Sequence, residues 1–410
     1  MYDITSAQTL EFHRSMLVDG VRMRSHLRAI LKTVKPGDVV LDIGSGTGVL
    51  ACFACMAGAS RVYAVEQGPI IELARSICRQ NSFQDRVVFL NDWSTNVELP
   101  EPVDVIITET IGNIGFEEGI LGWVIDAKER LLAAGGKIVP CSVELVVVPV
   151  EHAEDYNFYI DTWTQNICTL NYAPARSLAV NTMLWTELSP DSFLSEPAVL
   201  ARTQMDQVTT AVLSGEVSFI AGRDGILHGI GCWFAAELAP GITLSNAPPL
   251  KTPSWSHHFL PLERPLSVNA GDRLAVQIQA NGNSAQWQWQ VTSQSGANGT
   301  SSSQNEFVHT TGNGQLHSSS LGSPSARPKR TQNGEVDLFI LGLMDGTRSA
   351  DVIARQTIER FPAHLASVEQ ALERVSSLAA YYGRWADNEQ SQPTNGQTQR
   401  IVSDHVERHS

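Results

Sequence analysis

Val39-Val40-Leu41-Asp42-Ile43-Gly44-Ser45-Gly46-Thr47-Gly48 is the stretch from which the fold is read. An apolar run of strand character passes a carboxylate and enters a turn with glycine at alternate positions, and the apolar segment Val49–Ala59 continues as a helix. Glycines are required in such a turn because a side chain would block the approach of a ligand to the backbone. Outward from here the pattern repeats. Arg61–Val65 reads as a second strand, a helix follows through Ile70, Leu73, Ala74 and Ile77, and Val87–Leu90 and Val103–Ile107 are further strands. Strands alternating with helices predict a parallel sheet covered on both faces across residues 36–150.

The glycine spacing is G-x-G-x-G rather than G-x-G-x-x-G, so Gly44, Gly46 and Gly48 need not cradle a pyrophosphate. That favours S-adenosylmethionine over a dinucleotide, with the turn lying against the amino acid part of the ligand. Glu66 ends the second strand, 18 residues after Gly48, where a carboxylate accepts hydrogen bonds from both ribose hydroxyls. Asp42 is expected to reach the ligand ammonium through water. Asp92, after the third strand, is placed either to meet the adenine amino group or simply to cap a turn, and Trp93 beside it is placed to flank the ring. The expected architecture is therefore an α/β Rossmann-like methyltransferase domain.

Past Val150 the pattern changes. Gln207–Ala221, Ile226–Leu238, His258–Val268, Arg273–Gln279 and Gln286–Val291 read as strands separated by Gly, Pro and Asn turns, which predicts an antiparallel β-barrel or sandwich over 151–292. Aromatic-rich residues 156–186 interrupt it as an excursion. Residues 1–35 read as helical and 293–333 as a polar flexible linker. A small helical module is expected at 334–385 and a disordered tail at 386–410.

The net charge of −14 argues against a non-specific grip on nucleic acid and either suits cationic substrates or simply keeps the protein in solution. Cys52 and Cys55 form a C-x-x-C inside an apolar helical run, with no second pair at ligand spacing, so no metal site is expected. The start of the chain lacks a signal-peptide pattern and its strongest hydrophobic stretch, Leu145–Val150, is too short to span a membrane, so the expected location is cytoplasmic.

After the fourth strand comes Thr108-Glu109-Thr110-Ile111-Gly112-Asn113-Ile114-Gly115-Phe116-Glu117-Glu118. This segment resembles the double-glutamate loop of the protein arginine methyltransferases, in which two glutamates nine positions apart, here Glu109 and Glu118, bracket a glycine-containing loop. The resemblance extends to Leu41–Gly48, Glu66 and Met16-Leu17-Val18-Asp19-Gly20-Val21-Arg22, and covers about 290 of the 410 residues. It implies a cofactor-covering N-terminal segment containing His13, an Arg22 contact to the carboxylate of S-adenosylmethionine, and Glu109 and Glu118 as the catalytic pair. It further implies a homodimer formed through the 156–186 arm and Trp255 at the substrate pocket in the barrel, and Met16 and Ile120 are expected to narrow the acceptor pocket.

The chemistry fits this reading. Guanidinium is planar, presents a fixed fork of N–H donors and has a pKa above about 12, so it arrives protonated and weakly nucleophilic. Two carboxylates offset its repulsion from a sulfonium and draw its charge toward the nitrogens they hold. Glu118 is expected to alter nucleophilicity most, with Glu109 as the clamp. The structural alternative is that Glu109 is a strand-end acid and Glu117-Glu118 open a solvated helix.

The chain departs from the family at Ser254, where a histidine facing the residue equivalent to Asp19 is usual, and at Ala7, where a tyrosine is usual. Of the adjacent His257 and His258, one is expected to face the core. Leu343–Ser349, in the C-terminal module, faintly resembles small winged-helix modules that hold peptides. The expected acceptor is an arginine in a protein or peptide. The rivals are free arginine or another amidino metabolite, and a cofactor-binding but inactive partner protein.

Overall fold

The computed structural model describes residues 7–249, 254–281, 286–294, 304–311, 329–365 and 367–382. The tail expected from 386 lies outside the described residues. The chain divides into two compact units, Met1–Arg327 and Pro328–Ser410.

The first unit opens with α1 (Ala7–Val18) and α2 (Gly20–Thr33). The break between them is local chemistry: Asp19 leaves helical geometry and its carboxylate accepts from the amides of Val21 and Arg22, which caps α2. Then come β1 (Val39–Ile43), α3 (Val49–Met56), β2 (Arg61–Val65), α4 (Ile71–Gln80), β3 (Val87–Leu90), β4 (Val103–Thr108), α5 (Ile120–Arg130) and β5 (Leu132–Val139). The strands form one parallel sheet in the order β3-β2-β1-β4-β5. The order reverses at β1, and a crevice at the carboxyl ends of strands flanking that reversal is where α/β sheets bind ligands.

The antiparallel part begins with β6 (Ser142–Val150). The arm follows as α6 (Ala153–Tyr159), the two-residue strands β7 (Asn166–Ile167) and β8 (Leu170–Asn171), α7 (Arg176–Ala179) and β9 (Leu184–Thr186). Two sheets complete the unit. One joins β6 and β9 to β10 (Ala198–Gln204), β12 (Gly225–Ala239), β13 (Ile242–Ser245) and β14 (His257–Val268). The other holds β11 (Val212–Ile220), β15 (Arg273–Asn281), β16 (Gln286–Gln294) and β17 (Gln304–Thr310) in the order β11-β15-β16-β17. A single core runs from the parallel sheet into both, and α2 packs on β12 and β13.

Two expectations are revised. The polar stretch 293–333 is not wholly linker: Gln304–Thr310 pairs with β16, burying Phe307 and His309. Alternation of these two with exposed neighbours was too short a signal amid Ser, Gly and Asn. His257 and His258 are both buried, because β14 separates two cores. His257 accepts the Leu188 amide at Nδ1 and reaches the Asn246 carbonyl with Nε2, 2.7 Å away.

The second unit contains α8 (Gln332–Leu343), α9 (Ala350–Arg360) and α10 (Val368–Tyr382) around Val336, Ile340, Ile353, Ala371 and Val375. Ser349 caps α9 as its sequence position suggests.

Candidate active site

A cavity of about 690 Å³ opens at the carboxyl ends of β1, β2 and β4, inside the range of roughly 300–1,000 Å³ usual for small-molecule sites. One side is the glycine turn. Gly44, Gly46 and Gly48 all have positive φ (69°, 53° and 76°), and the amides of Gly44 and Ser45 both donate to the Val65 carbonyl, binding the turn to the end of β2. A β-carbon at Gly46 would stand 3.3 Å from Cε1 of His13, and one at Gly44 would stand 3.1 Å from Thr110.

Glu66 lines this side with its carboxylate fixed by the amides of Gly46 (3.0 Å) and Gly68 (2.6 Å). Burial raises its pKa, and those two amides oppose the rise. Asp92 also lines the cavity. One of its oxygens accepts from the Trp93 amide and from Asn96, so it caps a turn while bordering the site. Trp93 stacks on Trp123 with ring centroids 5.7 Å apart, and the Trp123 indole donates to the Glu118 carbonyl. This aromatic pair couples the glycine-turn side of the cavity to the opposite end.

Glu109, Glu118, Asn113, Ser254 and Trp255 form that end. The buried Arg22 guanidinium pairs with Glu109 and lies 4.3 Å from the Trp255 ring centroid. Burial lowers the Arg22 pKa to about 10, while Glu118 and Asp19 hold it up. Glu118 faces the open cavity yet is ringed by protein. That desolvation, then the neighbouring Glu117 charge, raises its pKa to about 7 against the pull of Arg22. Burial and the Arg22 charge both lower the pKa of His13.

Of the residues expected at the site, His13, Met16, Arg22, Gly44, Gly46, Glu66, Asp92, Glu109, Glu118 and Trp255 all line the cavity. Three do not. Asp42 is fully buried beneath the glycine turn, against the first turns of α3, where burial lifts its pKa to about 7, so it does not line the cavity directly and any contact with a ligand runs through water. Gly48 is the N-cap of α3 and a β-carbon there would press on Ala74 at 3.2 Å, so its role is close packing. Ile120 is buried in the core and leaves the narrowing of the pocket to Met16 and its neighbours.

Sequence reasoning missed Glu117, Asn113, Asn246 and Trp123. The Asn246 amide donates to the carbonyls of Asn113 and Ser256, and the Asn113 side chain accepts from the Ser256 amide, so the loop after β4 is moored to the barrel. The only local hint was a polar residue between two glycines. The departure at Ser254 is resolved here as well. Its hydroxyl donates to Asp19 at 2.6 Å, so a barrel-to-helix link survives with a shorter partner. Ser254→Ala is expected to cost about 1.5–3 kcal/mol, the range for a hydrogen bond to a charged group. Thermal unfolding, with cofactor affinity alongside, checks this.

The donor set fits S-adenosylmethionine. Nε of Arg22 is buried without a partner and borders the cavity, as suits a ligand carboxylate; Glu66 suits a diol; and Gly46 leaves space that a β-carbon would fill. The arrangement defines an S-adenosylmethionine-dependent methyltransferase of the α/β class.

Comparison with known proteins narrows this. Residues 142–292 match the arginine methyltransferase oligomerization subdomain, and residues 24–138 match the ribosomal protein L11 methyltransferase model. Protein arginine N-methyltransferase 6 of Xenopus tropicalis is 31% identical over 62% of this chain and 79% of its own length. Arginine N(omega)-methyltransferase of Streptomyces achromogenes subsp. streptozoticus is 32% identical over 65% of this chain and 75% of its own. The solved Trypanosoma brucei PRMT1 enzyme-prozyme complex with AdoHcy shares the fold, with a TM-score of 0.65 at 24% identity over 72% of this chain and 97% of that one. The chain belongs to the protein arginine N-methyltransferase family and is an S-adenosylmethionine-dependent arginine N-methyltransferase.

Proposed function

We propose that the acceptor is an arginine within a peptide or protein, methylated at a terminal guanidino nitrogen, with Glu109 and Glu118 as the catalytic pair. The observation that carries this choice is the charge of the cavity wall. Glu66, Asp92, Glu109 and Glu118 line it, and among the described residues Arg22 is its one Arg or Lys, already engaged by Glu109. Free arginine is a zwitterion at its α-carbon, and its α-carboxylate would enter this acidic wall with no unengaged Arg or Lys to receive it. A peptide-linked arginine brings a neutral backbone instead.

The cofactor supplies an electrophilic methyl group on a sulfonium. The protein's part is to hold and polarise the acceptor. Glu109, braced by Arg22, clamps one edge of the guanidinium, and Glu118 takes an N–H of the other, leaving one nitrogen aimed along the line of displacement. Orientation of this kind accounts for as much as roughly 7–11 kcal/mol of a barrier. Methylation leaves a surplus proton on that nitrogen, and the Glu118 carboxylate is placed to receive it.

The aromatic arm supports a homodimer, since Phe158 and Leu170 are exposed on it within the matched oligomerization region. The free cysteines and the absence, among the described residues, of a helix able to cross a membrane are compatible with a cytoplasmic setting.

The test compares free arginine, Nα-acetyl-arginine amide and an arginine-containing peptide, with products read by mass spectrometry. The blocked forms are expected to exceed free arginine in kcat/KM by about tenfold or more, equivalent to about 1.4 kcal/mol. Free arginine as the better acceptor would overturn this choice and favour the reading suggested by the Streptomyces relative's name. Tight cofactor binding without turnover on any guanidine would point to a non-catalytic partner.

A further inference from the structure

The loop after β4 carries a third carboxylate, beside Glu109 and Glu118, that the reaction does not use. Glu117 turns away from the cavity and into its own loop. Its Oε1 accepts from the Asn113 and Ile114 amides, the latter at 3.0 Å, and its Oε2 from the Ile114 and Phe116 amides, both at 3.2 Å. Successive backbone N–H groups closing on one anion form a nest. Gly112 belongs to the same device: its φ is +70°, and a β-carbon there would overlap the Glu117 carboxyl group. Behind Glu117 stands His258 on β14, with Nε2 3.7 Å from Oε1, while the pKa of the Cys232 thiol on β12 is pushed up by burial first and then by the Glu117 charge.

We propose that Glu117 is a positioning residue of the acceptor site, an internal anion that shapes the loop's amides so that the next residue, Glu118, is presented to the cavity. This rests on the arginine reading above. Neighbouring residues joined by one peptide bond are thereby given opposite tasks, one binding the loop to itself and the other binding substrate. The loop cannot relax while the nest is occupied, because Asn113 and Ser256 also moor it to the barrel. The Glu117 charge acts on Glu118 as well, since it raises the proton affinity of Glu118 after burial does, with Arg22 opposing.

The experiment uses the full-length enzyme with Glu117→Gln and Glu117→Asp. Glutamine places an NH₂ where an amide hydrogen must be received, so kcat is expected to fall about tenfold or more while cofactor Kd stays within about twofold. The acid limb of kcat/KM should also move to lower pH, because a negative neighbour of Glu118 is gone. Aspartate, which keeps the charge, should leave that limb in place and restore part of kcat. Hydrogen exchange supplies a readout independent of turnover: the Asn113, Ile114 and Phe116 amides should lose protection in Glu117→Gln while the β1 and β4 amides keep theirs. An inactive wild type with this exchange pattern would sink the arginine reading and leave the nest standing. Unchanged exchange and kinetics in Glu117→Gln, or cofactor binding lost together with turnover, would overturn the positioning role.

Discussion

Glu118→Gln is expected to lower turnover by about 10²-fold or more, the scale on which removal of one preorganised electrostatic partner acts, while cofactor affinity stays close to wild type. The substitution keeps the shape of the side chain and its place at the cavity wall. What it removes is a full negative charge beside a cation that must approach a sulfonium, so the loss falls on the acceptor half of the site. The carboxylate form is the competent one, and the Glu118 pKa is raised to about 7 by desolvation and by Glu117. Activity that depends on the ionised group should therefore decline as pH falls through that value in the free enzyme, which kcat/KM reports. The acid limb should vanish from the residual activity of Glu118→Gln. Wild-type turnover in the variant would remove Glu118 from the mechanism.

The opposite split is expected from Glu66→Ala, in which cofactor Kd rises by about 10²-fold or more while kcat at saturating cofactor changes little. Two interactions to a ribose diol are lost, each worth roughly 1.5–3 kcal/mol when the acceptor is charged. Every 1.4 kcal/mol or so is a tenfold change in Kd. The alanine also strands the amides of Gly46 and Gly68, which Glu66 now receives, so the glycine turn loosens in the same step. Isothermal titration with S-adenosylmethionine, followed by kinetics at saturation, reads both quantities. A Kd unchanged in this variant would detach Glu66 from the cofactor. Taken together, the two variants divide the cavity into a nucleoside end and an acceptor end.

Much of this was legible before any coordinates. A strand entering Gly44-Ser45-Gly46 and a carboxylate ending the next strand are local patterns, and the parallel sheet carries them to one edge by its own topology. Glu109 and Glu118 were legible for the same reason, since their spacing belongs to one loop. Gly48 was misread because it sits beside ligand-facing residues in sequence, yet it caps α3 and packs inward on Ala74. Ser254 and Asp19 are 235 residues apart, and nothing local in either reveals that they touch.

What the sequence determined by itself was the order of strands and helices, the glycine turn and the chemical identity of the acids, because hydrophobic period and backbone freedom act over a few residues. What only the tertiary structure decided was the direction of each acid. Glu117 and Glu118 are alike in type and adjacent in the chain, but one faces a nest of amides and the other the cavity. That choice depends on which buried donors the folded loop, β12 and β14 bring together, and unpaired donors and charges are too costly to bury for it to go otherwise.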